Sequence, residues 1–267
     1  MKRIPLSLLG IGTLVLTLIF GLAGQASADG RGHRVIVTPD HQQGWSTADT
    51  RPGGAVTFVT DPTAPAGRGA LQLTTDATTT AKAQYLHAAN TPLANVTELS
   101  YYTKQNSASF ADGDPSYQLV TFLNGGTSGF STLVFEPYQN PLAGPVVPTV
   151  WQQWNVDAGL FWSTRTVACS GGTVVGTPGG PASYTLAQIS VLCPNALVVG
   201  FGVNIGSNNP SYNVETDLFN FNGTVYDFEP AHKCAKDDHG DKSHPKDCDG
   251  SGHHDDDNGD DSDGGDD

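Results

Sequence analysis

Eleven short strand-like runs, separated by turn residues, restrict the fold of this chain more than any other feature of its sequence. Most of the runs alternate apolar and polar residues or are rich in β-branched residues, and Gly, Pro, Asn or Asp lies between them. Lys, Glu and Met are scarce, which argues against long helices. The pattern predicts an all-β protein, either an antiparallel sandwich or a barrel. The runs begin at Arg34, Ala55, Ala70, Ala81, Glu98, Ser116, Ser131, Val150, Ala196, Tyr212 and Thr224.

Two local patterns add a hairpin and a helix to this prediction. Asn222 and Gly223 lie between two alternating runs, which predicts a tight β-hairpin. Residues 181–196 break the β pattern, because Leu186 and Ile189 are spaced as on a helix and a proline ends the run. We predict about two turns of helix here, on a crossover between strands.

The beginning of the chain has the pattern of a secretory signal peptide. A basic start precedes an apolar run over residues 6–24, and Ala26–Ala28 has the small-residue pattern of a signal-peptidase cleavage site. We therefore expect a signal peptide over residues 1–28, a short flexible segment over 29–32, and a secreted, extracellular protein with no membrane association after cleavage. The alternative is an uncleaved anchor, because the run approaches the roughly 20 residues that span a bilayer. The glycines of the run weaken such a helix, and the Ala26–Ala28 pattern favours cleavage.

The end of the chain is acidic and has almost no apolar residues. Residues 232–267 contain thirteen Asp and four Lys, a charge of −9 within a total of −14. Such a segment buries too little surface to fold, so we expect a disordered tail over residues 231–267. Each glycine of the tail fails the EF-hand spacing, so only weak attraction of Ca²⁺ is expected. Neither the tail nor the body has the positive charge that nucleic-acid binding requires.

Four cysteines suit an oxidising compartment, and they can pair in three ways. The local pairing, Cys169–Cys193 and Cys234–Cys248, is favoured because short loops close most readily. Zinc binding is the rival use, but the sequence has no C-x-x-C spacing and the two halves lie far apart. We therefore predict two disulfide bonds.

Five segments of the body form a distinctive series: VFEPY (134–138), WQQWNVDAGLFWSTR (151–165), GTPGGPASYTLAQI (176–189), CPNALVVGFGVNIGSNNP (193–210) and GTVYDFEP (223–230). In this order they resemble a family of secreted bacterial domains that has no assigned activity. The resemblance covers most of the body. It implies one jelly-roll β-sandwich domain over residues 33–230, like those of carbohydrate-binding modules and legume-type lectins, and it supplies no catalytic residues to assign here.

The sequence contains no strong catalytic motif. A glycosidase needs two carboxyl groups that face each other across a cleft, and the E-x-D-x-E strand pattern that aims carboxylates into a groove is absent. Glu215 and Asp217 come nearest, and we interpret them as part of a solvated outer face. Residues 125–131 fail the G-x-S-x-G spacing of serine hydrolases. Catalysis is the minority interpretation, and it would need carboxylates that converge only in the fold.

Aromatic residues with polar neighbours favour glycan binding. Sugar rings stack on exposed aromatic rings, and amide side chains bind the sugar hydroxyls. Trp151, Trp162 and Tyr138 are the candidates, and Gln153 shares a strand face with Trp151. Trp154 alternates to the opposite face, and we predict it in the core. The alternative is that all three tryptophans pack internally.

Two further sets of residues allow either binding or packing. Asn204 shares a strand face with Gly200 and Gly202, and a face with so few side chains leaves room for a ligand or for a closely packed neighbour. Asp112 and Asp114 lie in one loop and are candidate ligands of a structural Ca²⁺, although such a site needs about 6–8 oxygen ligands. A plain turn is the alternative.

We therefore expect a secreted, non-catalytic module that binds glycan or another cell-surface polymer. The alternatives are a structural or adhesion protein of the envelope or extracellular matrix, whose tail binds Ca²⁺ weakly, and a glycoside-hydrolase-like enzyme. Ca²⁺ is the one cofactor considered, with Asp112 and Asp114 as its ligands. The expected ligand-binding residues are Tyr138, Trp151, Gln153, Trp162 and Asn204.

Overall fold

The computed structural model describes residues 33–140 and 143–231, and two β-sheets around a shared core form its framework. The predicted all-β class is confirmed: the fold is a jelly-roll-like, largely antiparallel β-sandwich with one short helix. The strands of this part of the chain are β1 (His33–Val37), β2 (Trp45–Ser46), β3 (Gly54–Thr60), β4 (Gly69–Thr75), β5 (Ala83–Pro92), β6 (Leu99–Ser107), β7 (Ser116–Phe122), β8 (Phe130–Phe135), β9 (Gln152–Asn155), β10 (Trp162–Ser163), β11 (Val167–Cys169), β12 (Gly172–Val174), β13 (Leu197–Ile205), β14 (Asn213–Phe221) and β15 (Thr224–Phe228).

The strands are divided between a seven-stranded and a six-stranded sheet. In the larger sheet β1, β15, β14, β4 and β3 follow in that order, and β6 joins the other edge of β14 and pairs with β9. The smaller sheet has the order β10, β8, β7, β13, β5, β2, and β11 and β12 form a separate hairpin. Many neighbours in each sheet are distant in the chain, so residues far apart in sequence meet on one face.

One strand pair departs from the antiparallel pattern. β1 runs parallel to β15 at the edge of the larger sheet, with His33 opposite Thr224 and Val37 opposite Phe228. The pairing covers backbone groups that β15 would otherwise leave open at the edge. Arg34 Nε also donates to Asp227 Oδ2 at 2.8 Å, which holds the two strands together through side chains.

The predicted hairpin and helix are both present. Asn222 and Gly223, with φ angles of 52° and 81°, form the turn between β14 and β15, because positive φ at both positions suits a tight hairpin. Helix α1 spans Leu186–Leu192, and Thr185 and Gln188 form a reciprocal capping box at its start.

The tryptophans are divided between the core and the surface. Trp154 is 1% exposed, as predicted, and its indole N–H donates to Thr103 Oγ1 at 2.6 Å. Trp45 is also buried, whereas Trp151 and Trp162 are partly exposed. The alternative that all three candidate tryptophans pack internally is therefore wrong.

The predicted Cys169–Cys193 disulfide bond is present. Cys169 ends β11 and Cys193 is the C-cap of α1, so the bond ties the small β11–β12 hairpin to the helix. It closes a loop between residues 24 positions apart.

Replacing both Cys169 and Cys193 with Ser is expected to lower the free energy of unfolding by about 3 kcal/mol. Without the bond, the unfolded chain regains the conformational freedom that the closed loop removes. Denaturant titration of the oxidised wild-type protein and of the double variant measures the difference. Equal midpoints with equal slopes would contradict this expectation.

Several sequence predictions concern residues outside the described ranges. They are the signal peptide over 1–28, the segment 29–32, the disordered acidic tail and the Cys234–Cys248 bond, and they stay predictions. Among the helices of residues 33–140 and 143–231, none is long and apolar enough to cross a bilayer.

Candidate functional site

A groove of about 440 Å³ crosses the outer face of the six-stranded sheet. Outward side chains of β10, β8, β7 and β13 form its floor, and the segment before β5 closes one end. With strands about 4.8 Å apart, the four steps from β10 to β5 give it a length of about 19 Å. We call this cavity the groove. Three of the predicted ligand-binding residues line it: Tyr138, Trp162 and Asn204.

Two aromatic side chains form one end of the groove. Trp162 lies on β10, opposite Val134 of β8, and Tyr138 lies in the short 3-10 helix Pro137–Gln139 that follows β8. The Tyr138 side chain is 41% exposed, and the ring of Phe110 packs edge-on against it with 5.3 Å between centroids. The strand pairing thus brings two partly exposed rings together although they are 24 positions apart in the chain.

Glu136 fixes the arrangement of this aromatic end. Its Oε2 accepts hydrogen bonds from Trp162 Nε1 at 2.8 Å and from Gln139 Nε2 at 2.5 Å. Burial raises the pKa of Glu136, against the opposing effect of the hydrogen bond from Trp162. Burial and the nearby Glu136 carboxylate likewise raise the pKa of Tyr138. The indole of Trp162 is therefore held in one orientation at the groove wall.

Amide side chains form the middle of the floor. Asn204 Nδ2 donates to Gln84 Oε1 at 3.0 Å, and Gln84 Nε2 donates to the Ala48 carbonyl at 3.0 Å. Gln118 Nε2 makes only a long contact of 3.4 Å with Ser116 Oγ. Asn204 is 3% exposed, and no hydrogen bond from the described residues reaches its Oδ1.

Glycines keep the floor low beside Asn204. A Cβ on Gly202 would lie 2.1 Å from the Tyr85 carbonyl oxygen and 2.8 Å from Leu86 Cδ2. A Cβ on Gly200 would meet the neighbouring strand less closely, at 3.2 Å. Of the two interpretations of this strand face, close packing therefore explains Gly202, while Asn204 lines the groove.

Basic side chains form the opposite end of the groove. Arg51 and Lys82 are joined by an isolated antiparallel bridge just before β5. Lys82 Nζ lies 2.5 Å from Asp49 Oδ2, whereas Arg51 Nε is 3.8 Å from Asp49 Oδ1. The loop Gly206–Asn209 borders the same end. One acidic group thus faces two basic groups here.

Trp151 and Gln153 lie away from the groove, on the outer face of the seven-stranded sheet. Trp151 Nε1 donates to Asp61 Oδ2 at 3.0 Å, and the Lys104 ammonium lies 5.2 Å from the centroid of the indole ring. The prediction that placed these two residues in one site with Trp162 is corrected. β9 pairs with β6 of the larger sheet and β10 with β8 of the smaller one, so the chain changes sheets between them.

The structure does not bring Asp112 and Asp114 together as calcium ligands. Asp112 is exposed, whereas Asp114 is buried and accepts a hydrogen bond from Thr103. Burial raises the pKa of Asp114 from 3.8 to about 7, against the effect of hydrogen bonds from Thr103 and Trp154. Within residues 33–140 and 143–231, no group of three or more His, Cys, Asp or Glu could hold a metal ion.

The interpretation of Glu215 and Asp217 as solvated is wrong, because they are 6% and 0% exposed. Glu215 accepts from Asn106 Nδ2 at 2.7 Å and lies 2.8 Å from Lys104 Nζ. Asp217 Oδ1 accepts from the Phe228 N–H at 3.0 Å. β14 is a central strand with partners on both edges, and neighbouring side chains cover its outer face.

Sequence reasoning did not single out Glu136 or Arg51 as site residues. A signal existed for Glu136, since it ends a strand-like run and has Tyr138 two positions later. No local signal marks Arg51. It reaches the groove only through its bridge to Lys82, 31 positions further along the chain.

Comparisons with known proteins give structural neighbours only. No protein-family model and no curated protein sequence matches the chain. A family 11 carbohydrate-binding module from Clostridium thermocellum, solved with a β-1,3-1,4-mixed-linked tetrasaccharide, is similar at 11% identity and a TM-score of 0.40, covering 70% of this chain and 91% of that one. The family 11 module of the cellulosomal cellulase Lic26A-Cel5E of the same organism is similar at 8% identity and a TM-score of 0.35, covering 72% and 91%. An arabinose-bound α-L-arabinofuranosidase is similar at 9% identity and a TM-score of 0.36, covering 68% of this chain but 23% of that one.

Proposed function

We propose that this protein is a secreted, non-catalytic module that binds glycan in the groove, at or outside the cell surface. The observation that carries the proposal is the composition of the groove. Two partly exposed rings, those of Trp162 and Tyr138, lie at one end of a floor that contains the partly exposed amide of Gln118 and the largely buried amide of Asn204. Secretion rests on the signal-peptide pattern over residues 1–28.

The groove offers both kinds of contact that a sugar ring needs. The C–H faces of a pyranose pack on aromatic rings, and its hydroxyls bind to amide donors and acceptors. Trp162 is held by its bond to Glu136, so little side-chain entropy is lost when a sugar stacks on it. A floor of neutral amides can accept several hydroxyl arrangements.

The number of carboxylates in the groove supports glycan binding over glycan hydrolysis. Both mechanisms of glycoside hydrolysis use a pair of carboxyl groups across the scissile bond. Among the described residues that line the groove, Glu136 is the single carboxylate. Its Oε2 is already occupied by the Trp162 and Gln139 donors.

Replacing Trp162 with Ala is expected to weaken glycan binding about tenfold or more, since a sugar ring stacked on its indole contributes about 1.4 kcal/mol or more. A glycan array of the chain lacking residues 1–28 identifies ligands, and calorimetry with the strongest ligand measures the loss. The array is run with and without Ca²⁺, so that metal-dependent recognition by the tail is visible.

Trp151→Ala is the matched control, because it removes a partly exposed tryptophan from the other sheet. It should leave the affinity unchanged, and thermal melting of both variants separates lost binding from lost folding. An array without any ligand would overturn the proposed function. Loss of binding in the Trp151 variant alone would move the site to the seven-stranded sheet.

A further inference from the structure

The groove carries opposite chemical character at its two ends. Trp162 and Tyr138 stand over β10 and the end of β8, while Arg51 and Lys82 stand before β5. The whole sequence has 27 acidic and 13 basic residues, so a basic site is unusual on this protein. The basic end therefore calls for a reason of its own.

The positive charge at the basic end is only partly neutralised. Asp49 is the acidic partner, and Lys82 holds it at 2.5 Å. Arg51 reaches the same carboxylate at 3.8 Å, which is too long for a hydrogen bond. One acidic group against two basic groups leaves a net charge of about +1 at the groove end.

The guanidinium of Arg51 has donors to spare. The Arg51 side chain is 51% exposed, and its one ion pair among the described residues is the 3.8 Å approach of Nε to Asp49. Ser207 and Asn208 line the same end and add a hydroxyl and an amide. Asp49 is exposed beside these side chains but does not line the groove, so a ligand that fills the groove would meet several donors at this position.

We infer that the glycan recognised by the groove is an acidic one, with a uronic acid carboxylate bound by Arg51 while a neutral ring stacks on Trp162. This inference rests on the proposed function and names the substrate class of the same site. A planar guanidinium matches a planar carboxylate through two parallel N–H···O bonds. The separation of about 19 Å between the two ends means that the two contacts are made by different sugar units of one oligosaccharide.

The test compares each uronate-containing oligosaccharide with its carboxyl-reduced form, which keeps the linkage and removes the charge. Wild-type protein should bind the uronate form about tenfold more tightly than the reduced form, and added NaCl should make this difference in affinity smaller. Arg51→Met should lower the affinity for the uronate form to that of the reduced form. Arg51→Lys keeps the positive charge but loses the two parallel N–H donors. Its affinity for the uronate form should lie between those of the wild-type protein and the Arg51→Met variant.

Arg165→Met is the matched control, because Arg165 is an exposed arginine outside the groove, packed over Phe130. It should bind both forms as the wild-type protein does. Equal affinity for the two forms, unchanged by Arg51→Met, would overturn the inference and leave the proposed function intact. Preference for sulfated glycans over uronates would overturn the carboxylate assignment. Failure to bind any oligosaccharide would overturn the proposed function itself, and the inference with it.

Discussion

Replacing Lys104 with Met is expected to lower the free energy of unfolding by about 3–5 kcal/mol. The Lys104 side chain is 12% exposed and lies between Asp61 and Glu215, whose side chains are 9% and 7% exposed. Its ammonium pairs with Asp61 and lies 2.8 Å from Glu215 Oε2. Met keeps the length of the side chain but removes the charge, so two largely buried carboxylates would share one site without a counterion. Denaturant titration at pH 7 measures the loss.

Two further variants define what this loss means. Lys82→Met removes an ammonium whose partner Asp49 is 56% exposed, and it should cost less than about 1 kcal/mol. Adding Asp61→Asn and Glu215→Gln to the Lys104 variant should restore much of the stability, because the uncompensated charges are then gone. A loss from Lys104→Met no larger than that from Lys82→Met would contradict the assignment.

The stability of the folded protein is expected to fall as the pH rises from about 4 to 8. Burial raises the pKa of Asp217 from 3.8 to about 8, with the nearby Asp227 adding to the effect, and burial raises that of Asp114 to about 7. In this window the unfolded chain releases protons that the folded chain retains. Each group then lowers the free energy of unfolding by on the order of 1 kcal/mol per pH unit. Its stabilising contribution is complete below about pH 4 and is lost as the pH rises through the folded-state pKa.

Asp61 acts in the opposite direction at lower pH. Burial by itself would raise the pKa of Asp61. Hydrogen bonds from Lys104 and Thr63 outweigh this effect and lower the pKa below its ordinary value of 3.8. Its stabilising contribution is present above that value and is lost as the pH falls further. We therefore expect the maximum of stability in mildly acidic solution.

Asp217→Asn isolates the largest part of this pH dependence. The Asn side chain keeps an oxygen for the Phe228 N–H and carries no ionisable proton, so the variant should match the wild-type protein near pH 4 and exceed it near pH 8. Thermal melting across this range measures the effect, with the exposed Asp157→Asn as a control that should follow the wild-type curve. A wild-type protein that gains stability from pH 5 to pH 8 would contradict the assignment.

The secondary structure could be predicted from the sequence where local rules decide it. Alternation marks the long strands, Asn222–Gly223 marks the hairpin, and the spacing of Leu186 and Ile189 marks α1. Trp154 could be placed in the core because strand alternation sets it opposite Trp151. The parallel pairing of β1 could not be predicted, since it depends on an open sheet edge formed by residues almost 200 positions later.

The candidate site could be predicted only in part, because sheet pairing decides which residues meet. Trp151 and Trp162 are 11 positions apart but lie on different sheets. Asn204, 42 positions beyond Trp162, shares the groove with it because β13 pairs with β7 and β7 with β8. No local pattern contains this register, and the same holds for Arg51 and for the burial of Glu215.

The parallel pairing of β1 with β15 has a consequence for a protein held under tension. Because His33 lies opposite Thr224 and Val37 opposite Phe228, a force that pulls residue 33 away from residue 231 acts along both strands in opposite directions. The evenly spaced hydrogen bonds of the pair are then sheared together instead of being opened one by one. If such a module links a surface to a polymer, tension on the polymer would first shear the β1–β15 pair. Single-molecule pulling between residues 33 and 231 would then show a high initial rupture force.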